Sequence, residues 1–124
     1  MFFFYNPNEC GLNTGDCVIR ALCKATGMNW KDIYVDLCVM GYSMCDWGNA
    51  NRVWGQWLIE HGYTRQMIPD TCPMCYTIGD FARDHQDGTY IVCTGSHVAC
   101  IIDGNLYDSW DSSGETAIYY FVKE

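Results

Sequence analysis

Two short stretches of this 124-residue chain carry the residue types from which a nucleophilic thiol site is built. The first, Asn13-Thr14-Gly15-Asp16-Cys17-Val18-Ile19-Arg20-Ala21-Leu22, places Cys17 after a Gly-Asp turn, where a helical apolar pattern begins. The second runs from Gly95 to Asp111. It reads as a strand opening on His97, a tight Asp103-Gly104 turn, and a return strand carrying Asp108 and Asp111. A thiolate nucleophile needs an imidazole base and a group that orients the base. Cys17, His97 and Asp108 supply the three in that order along the chain.

The mouth of a helix suits a reactive thiol. Backbone N–H groups are unpaired there and the helix dipole offers partial positive charge, so thiolate is favoured over thiol. Of the three histidines, His61 and His85 fall at predicted helix C-termini, where a cation has an ordinary structural role. His97 alone has an acidic hairpin partner. The hairpin register chooses that partner. If Asp103-Gly104 is a two-residue turn, Ile102 faces Asn105, Ala99 faces Asp108, and His97 lies diagonal to Asp108 on the same face. If Asn105 joins the turn, His97 faces Asp111, which is therefore the alternative orienter. Trp110, beside either acid, is placed to shield the pair from water.

The word Gly15-Asp16-Cys17-Val18-Ile19-Arg20-Ala21 resembles the nucleophile motif of ovarian-tumour-type deubiquitinases, in which Gly-Asp/Asn-Cys precedes two apolar residues, Arg, and Ala or Ser. A cysteine at a helix start, then helices, then a histidine strand and an acid-bearing strand, is also the chain order of papain-like folds, which the bacteriocin-leader peptidases share. The resemblance implies a small papain-like cysteine peptidase of the kind found in phages and bacteria. Catalysis would then pass through an acyl-thioester on Cys17, with His97 as base and Asp108 as orienter. Papain-like enzymes carry a glutamine some six residues before the nucleophile, where this chain has Gly11. Asn13 is the nearest side chain able to serve. The expected oxyanion donors are thus the Cys17 N–H and either the Asn13 amide or another N–H of the 13–16 turn.

The elements that must hold these residues follow from periodicity. Helical spacing predicts helices over about 17–26, 30–40, 51–61 and 78–84, with Gly27, Gly41 and Gly62 as stops. Asn29 is a predicted N-cap, and Thr77 with Asp80 a predicted capping box. The period then changes to two, predicting strands over 89–94, 97–102, 105–110 and 117–122. Residues 1–5 read as an N-terminal strand or packed arm, and 63–68 as a short extended piece. The expected architecture is a single α+β domain, with N-terminal helices packed on a C-terminal antiparallel sheet of about four strands.

Composition narrows the partners. With 49% hydrophobic residues the chain has enough apolar material for one core. The net charge is −8 and the seven Lys and Arg residues are scattered, so neither nucleic acid nor a membrane surface is an expected partner. A peptide or protein substrate, basic or neutral in charge, fits better. Residues 1–5 are too short for a signal peptide or a membrane span, and nine cysteines cannot all pair within one chain. Free thiols in a reducing cytoplasm are expected, with Cys23, Cys38, Cys93 and Cys100 as small buried apolar residues. The triad reading calls for no cofactor and no metal. Two rivals remain at this level: a non-catalytic binding or inhibitor protein on the same scaffold, and a zinc module on Cys72 and Cys75, which have knuckle spacing but no second ligand pair. An acyl transferase would use the same thioester.

Overall fold

The computed structural model describes all 124 residues. Ten elements follow one another: β1 (Phe2–Phe4), α1 (Cys17–Thr26), α2 (Trp30–Met44), α3 (Asn51–Glu60), β2 (Tyr63–Met67), α4 (Ile78–Asp84), β3 (Thr89–Cys93), β4 (Val98–Ile102), β5 (Asn105–Asp108) and β6 (Tyr119–Lys123). The architecture is α+β, with four helices on one six-stranded sheet of order β1-β5-β4-β3-β6-β2.

The sheet departs from the sequence expectation in strand number and in direction. Six strands form where about four were predicted, because two segments read as an arm and an extended piece complete the edges. β2 pairs antiparallel with β6, while β1 pairs parallel with β5, so the sheet is mixed. Both edge strands lie far in sequence from their partners, so no local turn signals the pairing. Strand ends also move. β5 stops at Asp108 instead of Trp110, because the Asp108 carboxylate accepts the Ser109 N–H at 2.7 Å and the Ser112 hydroxyl at 2.6 Å, curling the chain off the sheet. β6 begins at Tyr119, and His97 sits one residue before β4.

Alternation along the strands divides the core. Ile91, Cys93, Val98, Cys100 and Phe121 face α1, α2 and α3, whose Leu22, Ile33, Leu37, Trp54 and Leu58 complete that cluster. Val92, Ala99, Ile101 and Leu106 point the other way, onto Ile78 and Phe81 of α4. The first three helices therefore cover one face of the sheet and the short α4 the other. This is the period-two pattern of a sheet buried on both sides.

Local signals place most helix ends. Gly27 closes α1 in the left-handed conformation (φ 77°), the Asn29 side chain accepts the Asp32 N–H, and Thr77 and Asp80 form the reciprocal box that opens α4. Gly41 is different. It does not stop α2, which continues one turn to Met44 and ends at Cys45 (φ 57°). The buried face of α2 is Ile33, Leu37 and Gly41, a four-residue step, so Tyr34 and Cys38 turn outward and are exposed. A Cβ on Gly41 would stand 2.6 Å from the Asp46 carbonyl oxygen and 2.9 Å from the Gly48 nitrogen. Glycine is there to let the following loop fold back onto the helix. Gly41→Ala should therefore lower stability by about 1–3 kcal/mol, although alanine is the better helix former. A urea midpoint equal to or above wild type would refute this reading.

Candidate active site

Cys17 is the first residue of α1, and its N–H makes no backbone hydrogen bond, as the first helical position requires. The side chain of the preceding Asp16 does not cap the helix. One carboxylate oxygen accepts from Arg20 Nη1 at 2.8 Å, and the other from Trp30 Nε1 at 2.8 Å. The turn before Cys17 is thus tied to α1 and α2 by a buried acid. Cys17 itself is half-buried, at the wall of a cleft of about 280 Å³ between the N-terminus of α1, the start of α3 and the β3–β4 turn.

His97 comes to this cleft from the β3–β4 turn, where the Thr94 hydroxyl accepts its backbone N–H at 2.9 Å. The Asp103-Gly104 turn has two residues, both at positive φ, and pairs Ile102 with Asn105 and Cys100 with Tyr107. The ladder ends there. One step further Ala99 would stand opposite Asp108, and the diagonal from Asp108 leads to His97. The His97 Nε2 lies 2.7 Å from Asp108 Oδ2. With Nε2 held by the acid, Nδ1 is the nitrogen left to exchange a proton with Cys17. The register thus brings Asp108 to the histidine. Asp111 is exposed and accepts the Ser113 N–H at 3.1 Å, so the alternative orienter is not beside His97.

Asp108 is completely buried, and every neighbour around it stabilises its charge. Besides His97, Oδ2 accepts from the Ser112 hydroxyl, while Oδ1 accepts from Arg20 Nε at 3.1 Å and from the Ser109 N–H. Its carbonyl oxygen accepts the Tyr5 N–H at 2.8 Å, so the parallel β1 strand fixes its backbone as well. The result is a continuous buried chain of polar contacts, Trp30–Asp16–Arg20–Asp108–His97, with Cys17 at its solvent end. Burying an arginine is costly unless it is fully paired. Arg20 is paired twice, with both acids almost wholly inaccessible.

The ionisation of the site follows from these contacts. Burial works against the Asp108 carboxylate, but hydrogen bonds from His97 and Ser112 and the charges of His97 and Arg20 outweigh it and hold its pKa below the usual range. Burial also disfavours charge on His97. The hydrogen bond to Asp108, then the interaction with Cys17, overcome that and raise its pKa to about 9. For Cys17 burial opposes ionisation too. Hydrogen bonding from His97 and from the Val98 N–H, helped by the His97 and Arg20 charges, reverses the balance and lowers the thiol pKa. Shifts in opposite directions on a neighbouring thiol and imidazole favour a thiolate–imidazolium pair.

Several placements were not anticipated. Asn13 is exposed and does not line the cleft. The amides that do are Asn49 and Asn51, contributed by the loop before α3 and its first turn. Asn51 Oδ1 accepts from Trp54 Nε1 at 3.2 Å, which leaves its NH2 group free to donate into the cleft. Sequence proximity to Cys17 favoured Asn13, whereas the cleft recruits residues over thirty positions away. Arg20 was also missed as a structural partner of Asp108. Two signals were available: its i, i+4 spacing from Asp16, and its position on a helix whose other inward residues are apolar. Trp110 stands with its ring 5.0 Å from the imidazole of His97, centroid to centroid, while itself remaining partly exposed.

The remaining candidates separate from the site. His61 and His85 both end helices, each with Nδ1 at its i−4 carbonyl oxygen and each stacked on an aromatic ring, Trp57 and Phe81 respectively. Cys72 and Cys75 are exposed in the loop between β2 and α4, and no group of three or more His, Cys, Asp or Glu side chains converges to hold a metal ion. Cys23, Cys93 and Cys100 are buried, Cys38 is not, and none of the nine cysteines forms a disulfide. No helix is long and apolar enough to cross a membrane. Compared with known proteins, the chain matches no protein-family model, no curated protein and no solved structure.

Two expectations test this geometry. Arg20→Met leaves two buried carboxylates without their shared cation and should cost about 3–5 kcal/mol, whereas Asp111→Asn should change stability by less than about 0.5 kcal/mol. Equal effects in chemical denaturation would contradict the buried bridge. The second expectation concerns pH. A histidine whose folded pKa is about 9, above its ordinary 6.5, contributes stability that is complete below pH 6.5 and is lost as pH rises through 9. The lowered pKa of Cys17 works in the opposite sense over the same range, and Cys17→Ser removes it. In that variant the melting temperature should fall as pH rises from 6.5 to 9.5, and adding His97→Gln should flatten that slope. An unchanged slope in the double variant would assign the loss to other groups.

Proposed function

We propose that the protein is a cysteine peptidase or amide hydrolase with a papain-like arrangement of its catalytic elements. The observation that carries this reading is the position of the His97 imidazole, bonded through Nε2 to a buried carboxylate and set against a thiol at the start of a helix. A histidine kept for packing would not need a fully buried Asp108 whose carboxylate takes three further donors, from Ser112, Arg20 and Ser109. The cleft beside Cys17 supplies room for an extended chain, and the acidic chain as a whole offers nothing to a polyanion.

The reaction follows from the contacts. His97 Nδ1 takes the thiol proton, giving thiolate and imidazolium. The sulfur attacks the acyl carbon of a peptide or other amide, forming a tetrahedral oxyanion. The unpaired Cys17 N–H is one donor for that oxygen, and the free NH2 group of Asn51 is a second group able to hold the substrate or its oxyanion. The imidazolium passes its proton to the leaving nitrogen, the C–N bond breaks, and the acyl group remains as a thioester on Cys17. His97 then removes a proton from water as water attacks the thioester, and the carboxylic acid departs as the thiol reforms. Asp108 keeps the imidazole in the tautomer with its proton on Nε2 and balances the positive charge. The Trp110 ring stands tilted beside the imidazole, 5.0 Å between centroids. Free thiols throughout the chain suit a reducing compartment, which favours the cytoplasm.

Iodoacetamide followed by intact-mass and peptide mapping tests the reading. Cys17 should alkylate at least about tenfold faster at neutral pH than Cys10, Cys38, Cys45, Cys72 or Cys75, because its thiolate fraction is larger. The advantage should vanish in His97→Ala. Uniform slow labelling of all exposed cysteines in the wild type would leave a non-catalytic binding protein as the better description.

A further inference from the structure

We propose that the groove between α3 and the β2–β6 edge continues the Cys17 cleft and receives a peptide segment that offers a carboxylate to Arg65. This rests on the reading of Cys17 as a nucleophile and adds the charge of its substrate.

Continuity is the first observation. The cleft at Cys17 and the groove beyond it, about 380 Å³, share two wall residues, Asn51 and Tyr119. The two therefore lie side by side with Asn51 and Tyr119 on their common boundary, and a chain leaving the sulfur past Tyr119 meets the groove next.

Charge is the second. The chain carries fifteen acidic residues against seven basic ones, yet no carboxylate lines the groove while two arginines do. They are not equivalent. Arg52 is already neutralised by Asp46 at 2.7 Å and also donates to the Met44 carbonyl. Arg65 is exposed and has no acidic partner. Its guanidinium lies 4.3 Å from the centre of the Tyr119 ring, with Nη1 3.2 Å from Met67 Sδ. An arginine stacked on an aromatic keeps its donor fork in plane and in place, so little freedom is lost when a carboxylate arrives. The overall acidity argued for a basic or neutral peptide. Within this groove the local sign is reversed.

Depth is the third. Gly55 lies mid-helix in α3 and forms part of the groove wall. A Cβ there would meet only the Phe121 ring at 3.5 Å, an ordinary contact, and the backbone is helical. Glycine in a helix interior costs roughly 1 kcal/mol relative to alanine. Neither strain nor crowding calls for it, and its effect is to leave the groove open.

The carboxylate can belong to an aspartate or glutamate side chain or to the peptide's own C-terminus, and the test separates them. Two sets of alanine-based hexapeptides carry a thiol-reactive group, a C-terminal chloromethyl ketone in one and an N-terminal chloroacetyl group in the other. A single glutamate, glutamine or lysine is moved through each position, and the chloroacetyl set is made with free and amidated C-termini. Alkylation rates at Cys17 are read against iodoacetamide. At one position, or with the free C-terminus, the carboxylate peptide should react about three- to tenfold faster than its neutral counterpart, the range for a part-exposed charge-assisted pair. Arg65→Gln should abolish the difference and Arg65→Glu should make lysine the preferred residue, with iodoacetamide rates unchanged in both. Gly55→Ala should slow the preferred peptide while leaving iodoacetamide labelling and folding intact. Equal rates for acidic and neutral peptides at every position, or a preference that survives Arg65→Gln, would overturn the proposal while leaving a fast, His97-dependent reaction with iodoacetamide in place. A Cys17 inert to iodoacetamide would instead remove the nucleophile, and this proposal with it.

Discussion

The buried ion bridge from Asp16 through Arg20 to Asp108 is the constraint on which the rest of the site depends. It joins residues 88 positions apart in sequence, the first turn of α1 and the end of β5. Without it the helix carrying the thiol and the strand carrying the acid would share apolar packing and the Lys24 ammonium over the Tyr107 ring, contacts that tolerate sliding. A guanidinium with one carboxylate on each side does not tolerate it, because any displacement exposes an unpaired charge to a low-dielectric interior. Packing of α1 on β4 supplies the driving force for the contact, and the bridge supplies its registration.

The bridge has an electrostatic consequence as well. The bridge fixes Asp108 against His97, and the hydrogen bond and charge of Asp108, with the neighbouring Cys17, are why the imidazole holds its proton to about pH 9 despite its burial. That imidazolium, together with Arg20, in turn draws the proton from Cys17. Each ionised group is thus made affordable by the next, from a fully buried acid to a half-buried thiol at the cleft. The same logic explains why Asp108 needs so many donors. A carboxylate at zero exposure that shared its charge with the histidine alone would compete with the thiolate for it.

The sheet performs two tasks for this network. Its centre, β3 and β4, buries apolar side chains on both faces and holds the hairpin rigid. Its edges are where the site is trimmed. Parallel pairing of β1 pins the Asp108 backbone through the Tyr5 N–H, and the pairing of β2 with β6 sets Arg65 over Tyr119, next to the cleft. Strands far from Cys17 in sequence therefore decide what stands around it.

Local chemistry was legible along the chain because it depends on neighbours within a few residues. The turn before Cys17, the Gly27 stop, the Thr77–Asp80 box and the two-residue Asp103-Gly104 turn are all short-range arrangements. The last of them, through strict alternation, selects Asp108 over Asp111. Gly41 shows where such reasoning ends: a stop signal in sequence is, in space, a gap for a loop arriving from outside the helix. The same holds for Asn13 and Asn51. Nearness along the chain favoured the first, while the packing of α3 against α1 and the β3–β4 turn brings the second to the cleft. The amino-acid order alone brought Cys17, His97 and Asp108 forward as a set, together with the elements bearing them. Tertiary structure decided the mixed sheet with its two added edge strands, the burial of Arg20 between two acids, and the amides and cation that line the cleft, because those arrangements arise from contacts between distant segments that no local pattern encodes.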